Sequence, residues 1–157
     1  MPTIHLTTLI HAPVERVFDL CRSIKLHEKS MAHTGEKAVG GTYNMLIQQG
    51  ETVIWQAKHL YKTRMLKVMI TAMRPYESFT DEMKEGSFKS MKHHHYFKPI
   101  DNGTIMIDEF IFESPYGVIG KLANRLVLTK YMRTLLQQRN KIIKDYAESH
   151  RWKTVLQ

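Results

Sequence analysis

The sequence predicts an α+β fold, one curved antiparallel sheet closed by a long C-terminal helix, and three observations carry that prediction. Turn signals at Arg74-Pro75, Glu85-Gly86 and Asp101-Asn102-Gly103 divide the stretch from Glu51 to Phe112 into successive short runs, the rhythm of an antiparallel meander. A strand and a pair of short helices are read before that stretch, and an apolar stripe at helical spacing follows it. This order excludes a doubly wound sheet, in which strands and helices alternate.

Each element has its own reason. The segment Ile4 to Ile10 places Ile4, Leu6, Thr8 and Ile10 on one face and reads as a first strand. Pro13 suits the first turn of a helix, where a missing N–H costs nothing, and Glu15 then lies near the positive end of the helix dipole. Val14, Val17, Phe18 and Cys21 follow at helical spacing. A second short helix is expected over about Ile24 to Met31, passing into the turn-rich Thr34-Gly35-Glu36 and Gly40-Gly41. Asn102-Gly103 reads as a hairpin turn because both residues tolerate positive φ. Ser114-Pro115 supplies a helix N-cap and a first-turn proline. From there Ile119, Leu122, Ala123, Leu126, Leu135, Leu136, Ile142, Ile143 and Tyr146 mark the apolar side of a helix over about 115–148, with Arg125, Arg133, Arg139 and Lys144 away from it. Residues 149–157 are expected to fray, with Trp152 as the one candidate anchor. A chain of 157 residues buries one sizeable core and is too short for two ordinary domains, so a single domain over 1–157 is expected.

The composition, 43% hydrophobic and 24% charged, is that of a globular protein. No apolar run is long enough for a membrane span, and Met1 to Ile10 lacks the continuous apolar stretch of a secretory signal. A cytoplasmic location is therefore expected. The single cysteine, Cys21, forms no intramolecular disulfide and falls among apolar neighbours, which predicts a buried thiol. The formal net charge of +8 raises nucleic acid or an anionic membrane as partners. Yet the basic residues are scattered, and zinc-finger spacing, an RNA-binding signature and a Gly-rich phosphate loop are all missing. No nucleic-acid partner is expected, and contact with a membrane surface or partner through the basic helix face is an alternative reading.

The segment Ala12-Pro13-Val14-Glu15-Arg16-Val17-Phe18 resembles the "APxExVF" opening of the START and Bet v 1-like superfamily, also called SRPBCC, and Pro115-Tyr116-Gly117 resembles its final helix entry. The resemblance covers nearly the whole chain and implies the helix-grip fold: a curved sheet around a long C-terminal helix, with a cavity between them that receives lipids, sterols, polyketides or other apolar molecules. More narrowly, Ala32-His33-Thr34-Gly35-Glu36, Gly50-Glu51-Thr52-Val53-Ile54-Trp55 and Phe112-Glu113-Ser114-Pro115-Tyr116-Gly117 look like a bacterial, polyketide cyclase-like branch. Some members of that branch are labelled cell division inhibitors, a label nothing in these residues explains. Fold membership alone does not name the ligand.

Side chains alternate across a strand, so parity sorts the residues that share a face. Glu51, Val53, Trp55, Ala57 and His59 fall together, as do Phe79, Asp81 and Met83; Met91, His93, His95 and Phe97; and Met106, Asp108, Phe110 and Phe112. Each set mixes large apolar residues with one or two ionisable ones, the mixture expected of a ligand pocket. The expected ligand-binding residues are thus Glu51, Trp55, His59, Asp81, Met83, Met91, His93, His95, Met106, Asp108, Phe110 and Phe112.

Three readings of the ionisable group stay open. The histidines and carboxylates satisfy one another in the core, since an unpaired buried charge is too costly to keep. Or they orient a polar group on an otherwise apolar ligand. Or His93, His95 and Asp108 act as acid and base on an enolisable substrate, the chemistry that resemblance to polyketide cyclases implies. Binding of a small apolar molecule is the leading function, ahead of an enzyme. The run His93-His94-His95 raises a metal site, with His59 or Asp108 completing it. No metal or other cofactor is expected, because His94 must point away from its neighbours and the superfamily is not chiefly a metal-binding one. The ten methionines, among them Met65, Met69 and Met73 on one strand parity, fill a core or soften a cavity wall.

Overall fold

Seven strands form one sheet: β1 (Thr3–Ile10), β2 (Lys37–Thr42), β3 (Thr52–His59), β4 (Lys62–Arg74), β5 (Ser78–Glu85), β6 (Ser90–Ile100) and β7 (Gly103–Glu113). Their spatial order is β1-β7-β6-β5-β4-β3-β2, every pair antiparallel. From β2 to β7 each strand pairs with its sequence neighbour, the arrangement that short turns allow. The computed structural model describes residues 1–114 and 121–157. Among these, α1 (Val14–Cys21) and α2 (Ile24–Ser30) follow β1, and α3 (Lys121–Ala147) and the short α4 (Lys153–Leu156) end the chain. No described helix is long and apolar enough to cross a membrane.

The local chemistry explains these boundaries. Ser23 caps α2, its hydroxyl accepting from the Leu26 N–H at 3.1 Å. A 3-10 turn over Ala32–Thr34 then ends at Gly35, whose φ of 67° is left-handed. Phe18 of α1 meets the rings of Phe79 and Phe97 edge-on at 5.7 and 5.2 Å, which seats the helix pair on the sheet. The 27 residues of α3 span about 40 Å at 1.5 Å per residue, and its buried face carries Leu135, Leu136, Ile143 and Ala147. One core joins Leu136, Ile143 and Ala147 to the inward face of the sheet, including Val53, Trp55, Val68, Ile70, Met91, Phe97, Phe110 and Phe112.

The structure differs from the sequence reading in five places. The turn-rich segment around Gly40-Gly41 is an edge strand, β2, with a register shift between Ala38 and Gly40. Gly41 tolerates it at φ 111°, where a Cβ would collide with the Thr52 carbonyl. The β6–β7 turn is centred on Asp101 and Asn102, one residue early, since Gly103 already pairs with Ile100. Gly103 is needed for a different reason: a Cβ there would strike the Ile10 carbonyl. The positive-φ hairpin residues are instead Leu60 and Tyr61, at 52° and 67° between β3 and β4, and Tyr76, at 64° between β4 and β5. Met65 is exposed, because β4 turns Val68 and Ile70, of the other parity, inward. On α3, Leu126 is exposed while Arg139 is buried. The tail does not fray: Arg16 lies over the Trp152 ring at 4.4 Å, and Lys25 donates to the Thr154 carbonyl at 2.6 Å. The expected helix entry at Pro115 and the stripe residue Ile119 lie outside the described residues, as do the side chains of Leu122 and Ala123.

Candidate functional site

The curved sheet and α3 do not close completely on each other. They leave a cavity of about 530 Å³, walled by apolar side chains such as Trp55, Val68, Ile70, Phe110, Leu135 and Leu136. Two polar groups interrupt that wall, one buried and one nearer the surface.

The buried group is built by strand alternation. His93 and His95 share the inward face of β6; Asp81 on β5 stands opposite His93, and Asp108 on β7 stands opposite His95. The hydrogen bonds run along the diagonals. Nε2 of His93 donates to Oδ1 of Asp108 at 2.8 Å, and Nε2 of His95 donates to Oδ2 of Asp81 at 2.8 Å. From α3, Arg139 Nη1 reaches Asp108 Oδ1 at 3.3 Å and Asn140 Nδ2 reaches Oδ2 at 2.6 Å. Arg139 also donates to Asn140 Oδ1 at 2.9 Å, which fixes the amide's orientation. Phe79 stacks on His95 at 4.1 Å, and the two imidazoles lie 3.8 Å apart between ring centres. Nδ1 of His95 lies 3.4 Å from Asp108 Oδ1 without making a hydrogen bond, and it is the one unsatisfied buried side-chain nitrogen or oxygen among the described residues.

Electrostatics follow from this packing. Burial by itself would raise the pKa of Asp108; the His93 and His95 rings and the Arg139 guanidinium overturn that and hold it well below the usual carboxylate range. Asp81 is likewise held low by His95 against the opposing effect of burial. Burial, reinforced by His95, pushes His93 down to about 4 despite its bond to Asp108. His93 is therefore a neutral imidazole at neutral pH, with Nε2 as its donor. The arrangement can hold a carbonyl, hydroxyl or carboxylate of a bound molecule, or move a proton.

The outer group has different members. His27 pairs with Glu36 at 2.9 Å and stacks against Trp55 at 4.1 Å. Nδ1 of His59 meets the Tyr131 hydroxyl at 2.7 Å. Burial lowers the His59 pKa and raises that of Tyr131. Arg64 lines the same end of the cavity, with only long bonds to the His59 carbonyl at 3.5 Å and Ser87 Oγ at 3.4 Å.

Of the residues expected to bind ligand, Trp55, His59, Asp81, Met91, His93, His95 and Phe110 line the cavity. Five do not. Glu51 precedes β3, and its carboxylate accepts from the N–H groups of Asn44 and Gln48, bracing the loop. Met83 packs over Gly86 at the end of β5. Met106 is fully buried beneath α1, its sulfur 3.2 Å from that of Cys21. Phe112 packs against Phe88 and Phe110. Asp108 stands behind the histidines with no exposure. Sequence reasoning missed Arg139, Asn140, Glu36, His27, Arg64 and Tyr131. A signal for the first two exists: positions 139 and 140 lie one helical turn from Leu135, Leu136 and Ile143, on the stripe itself. Cys21 also borders the cavity, and burial pushes its thiol up to about 12, so it stays protonated and unreactive.

Neither a protein-family model nor a curated protein matches the sequence. Solved structures match the fold. A START superfamily protein from Mycobacterium smegmatis superposes with a TM-score of 0.72 at 11% identity, over 93% of this chain and 97% of that one. Major latex-like protein 151 from Panax ginseng gives 0.67 at 15% identity, over 94% and 98%. Ara h 8.0201 gives 0.65 at 15% identity, over 93% and 97%. At such identities the likeness is one of fold, and it agrees with the sheet order, the helix pair after β1 and the long C-terminal helix: the chain has the helix-grip fold of START and Bet v 1-like (SRPBCC) proteins.

Proposed function

We propose that the chain binds one small, largely apolar molecule between the sheet and α3, with a polar group of that molecule directed at His93, His95 and Arg139. The observation that carries this reading is the cavity of about 530 Å³ whose apolar wall ends in a buried, hydrogen-bonded polar cluster. Its size lies in the range of small-molecule sites, and its composition matches theirs. The alternative of a partner-binding or membrane-surface module expects no such internal space. A lipid, a polyketide or an aromatic compound fits the description equally.

Filling the cavity tests the reading. Ala57 is buried on β3 and borders the space, so Ala57→Phe places a ring inside it. A fluorescent apolar probe is expected to bind the native chain saturably, and the variant at least about tenfold more weakly, a loss of about 1.4 kcal/mol or more. Circular dichroism checks that the variant folds. Absence of saturable binding by the native chain, or equal affinity in a folded variant, contradicts the proposal.

A second reading, an enzyme of the cyclase or dehydratase kind, has one observation in its favour: a neutral imidazole bonded to an ionised carboxylate, the pairing that fixes the tautomer of a general base. In that case His93→Gln abolishes turnover and leaves affinity largely intact. In the binding reading the same variant weakens affinity and there is no turnover to lose.

A further inference from the structure

Asp108 does more than balance Arg139. An ionised carboxylate only accepts hydrogen bonds, so the 2.8 Å contact places the His93 proton on Nε2 and leaves the Nδ1 lone pair without a hydrogen-bond partner among the described residues. His95 faces carboxylate oxygens with both ring nitrogens, Asp81 at 2.8 Å from Nε2 and Asp108 at 3.4 Å from Nδ1. A neutral imidazole carries one proton, so one of its nitrogens aims a lone pair at an anionic oxygen unless a cation stands between them. A metal ion on one nitrogen, with the ring's single proton on the other, satisfies both oxygens. A carboxylate holding the far nitrogen of a histidine is the arrangement that orients metal-binding imidazoles. One donor atom from each of Asp81, His93 and His95 lies within 4.8 Å of the other two, and all three residues border the cavity.

We infer that Asp81, His93 and His95 form a binding site for a divalent transition-metal ion, with Asp108 as the carboxylate that positions both imidazoles. Two imidazole nitrogens and one carboxylate oxygen suit Zn²⁺, Co²⁺ or Fe²⁺ rather than the all-oxygen preferences of Ca²⁺ and Mg²⁺. Metal–ligand bonds of about 2.0–2.2 Å set donor atoms about 3.0–3.5 Å apart, so a separation of at most 4.8 Å closes by no more than about 1.3–1.8 Å on binding. The ion takes the place of the proton between His95 and Asp81, and that proton passes to Nδ1, which faces Asp108. The remaining coordination position faces the cavity, where an oxygen of a bound molecule completes the set. His94 takes no part: it points to the other face of the sheet and meets Thr80 Oγ1 at 2.8 Å.

The test is titration of the chelator-treated full chain with Co²⁺ alone. Expected are one ion per chain and the visible absorption of low-coordinate Co²⁺. His93→Gln and Asp81→Asn each weaken binding by about tenfold or more, Asp108→Asn, which removes no donor atom, weakens it by about 10–100-fold, and His94→Gln leaves it unchanged. Should the cluster variants fail to fold, X-ray absorption of the native chain loaded with Zn²⁺ decides alone, with two imidazoles in the first coordination sphere. Absence of metal uptake by the native chain overturns the inference. Uptake that depends on His94, or a Zn²⁺ spectrum without two imidazoles, overturns it in favour of surface histidines.

Discussion

Asp108→Ala is expected to lower the unfolding free energy by about 3–5 kcal/mol, the cost of removing one partner from a buried ion pair. Asp108 has no exposure and receives His93, Arg139 and Asn140, so its loss strands a guanidinium that is itself buried. The two oxygens also tie α3 to β7, and the amide of Asn140 extends the tie to Thr8 on β1 at 3.5 Å. Asn140→Ala removes its hydrogen bonds with Asp108, Arg139 and Thr8 but leaves the charges paired, which costs less, about 1–3 kcal/mol. Urea unfolding of the three proteins measures both values. A loss of about 1 kcal/mol or less for Asp108→Ala, the size of an exposed pair, contradicts this account of the cluster.

Acid is expected to destabilise the metal-free chain through His93. Burial, with His95 beside it, pushes its folded pKa down to about 4 from an ordinary 6.5. Between those values the unfolded chain binds a proton that the folded chain refuses, so stability rises with pH across the window. Seen from neutral pH, the loss begins near 6.5 and levels off near 4, and it amounts to about 3 kcal/mol. Burial acts in the same direction on His59, so the contribution of His93 is read as the difference between the native chain and His93→Gln. Urea unfolding at pH 7 and pH 4.5 provides it. Equal pH dependence in the two proteins contradicts the assignment.

Both effects depend on side chains whose roles were unequally legible. The inward faces of β3, β6 and β7 follow from strand parity because β3 pairs with β4, and β6 with β7, over long regular stretches. His93, His95 and Asp108 are therefore readable as one group. On β4 an extra residue, Thr71, between the pairs Ile70–Asp81 and Ala72–Thr80 reverses the alternation, so Met65 is exposed while Met73, of the same parity, packs on the core. Arg139 is assigned to solvent by its charge, as most arginines are. It lies inside because Asp108, distant in sequence, supplies the opposite charge. Glu36 and His27 meet across a turn whose geometry depends on the left-handed Gly35, and His59 meets Tyr131 only after α3 crosses the sheet. Such pairings between distant segments leave no periodic trace. The fold resemblance carried by Ala12 to Phe18 anticipated a space between sheet and helix, whereas parity alone counts Met106 and Phe112 as cavity wall when they are filled core.

Native mass spectrometry of the full chain as purified, followed by denaturing extraction, tests the binding proposal most directly. Expected is one small, largely apolar molecule bound per chain, released on denaturation and absent from Ala57→Phe. A bare mass from the native chain, unchanged after incubation with a mixture of lipids and aromatic polyketides, would contradict it.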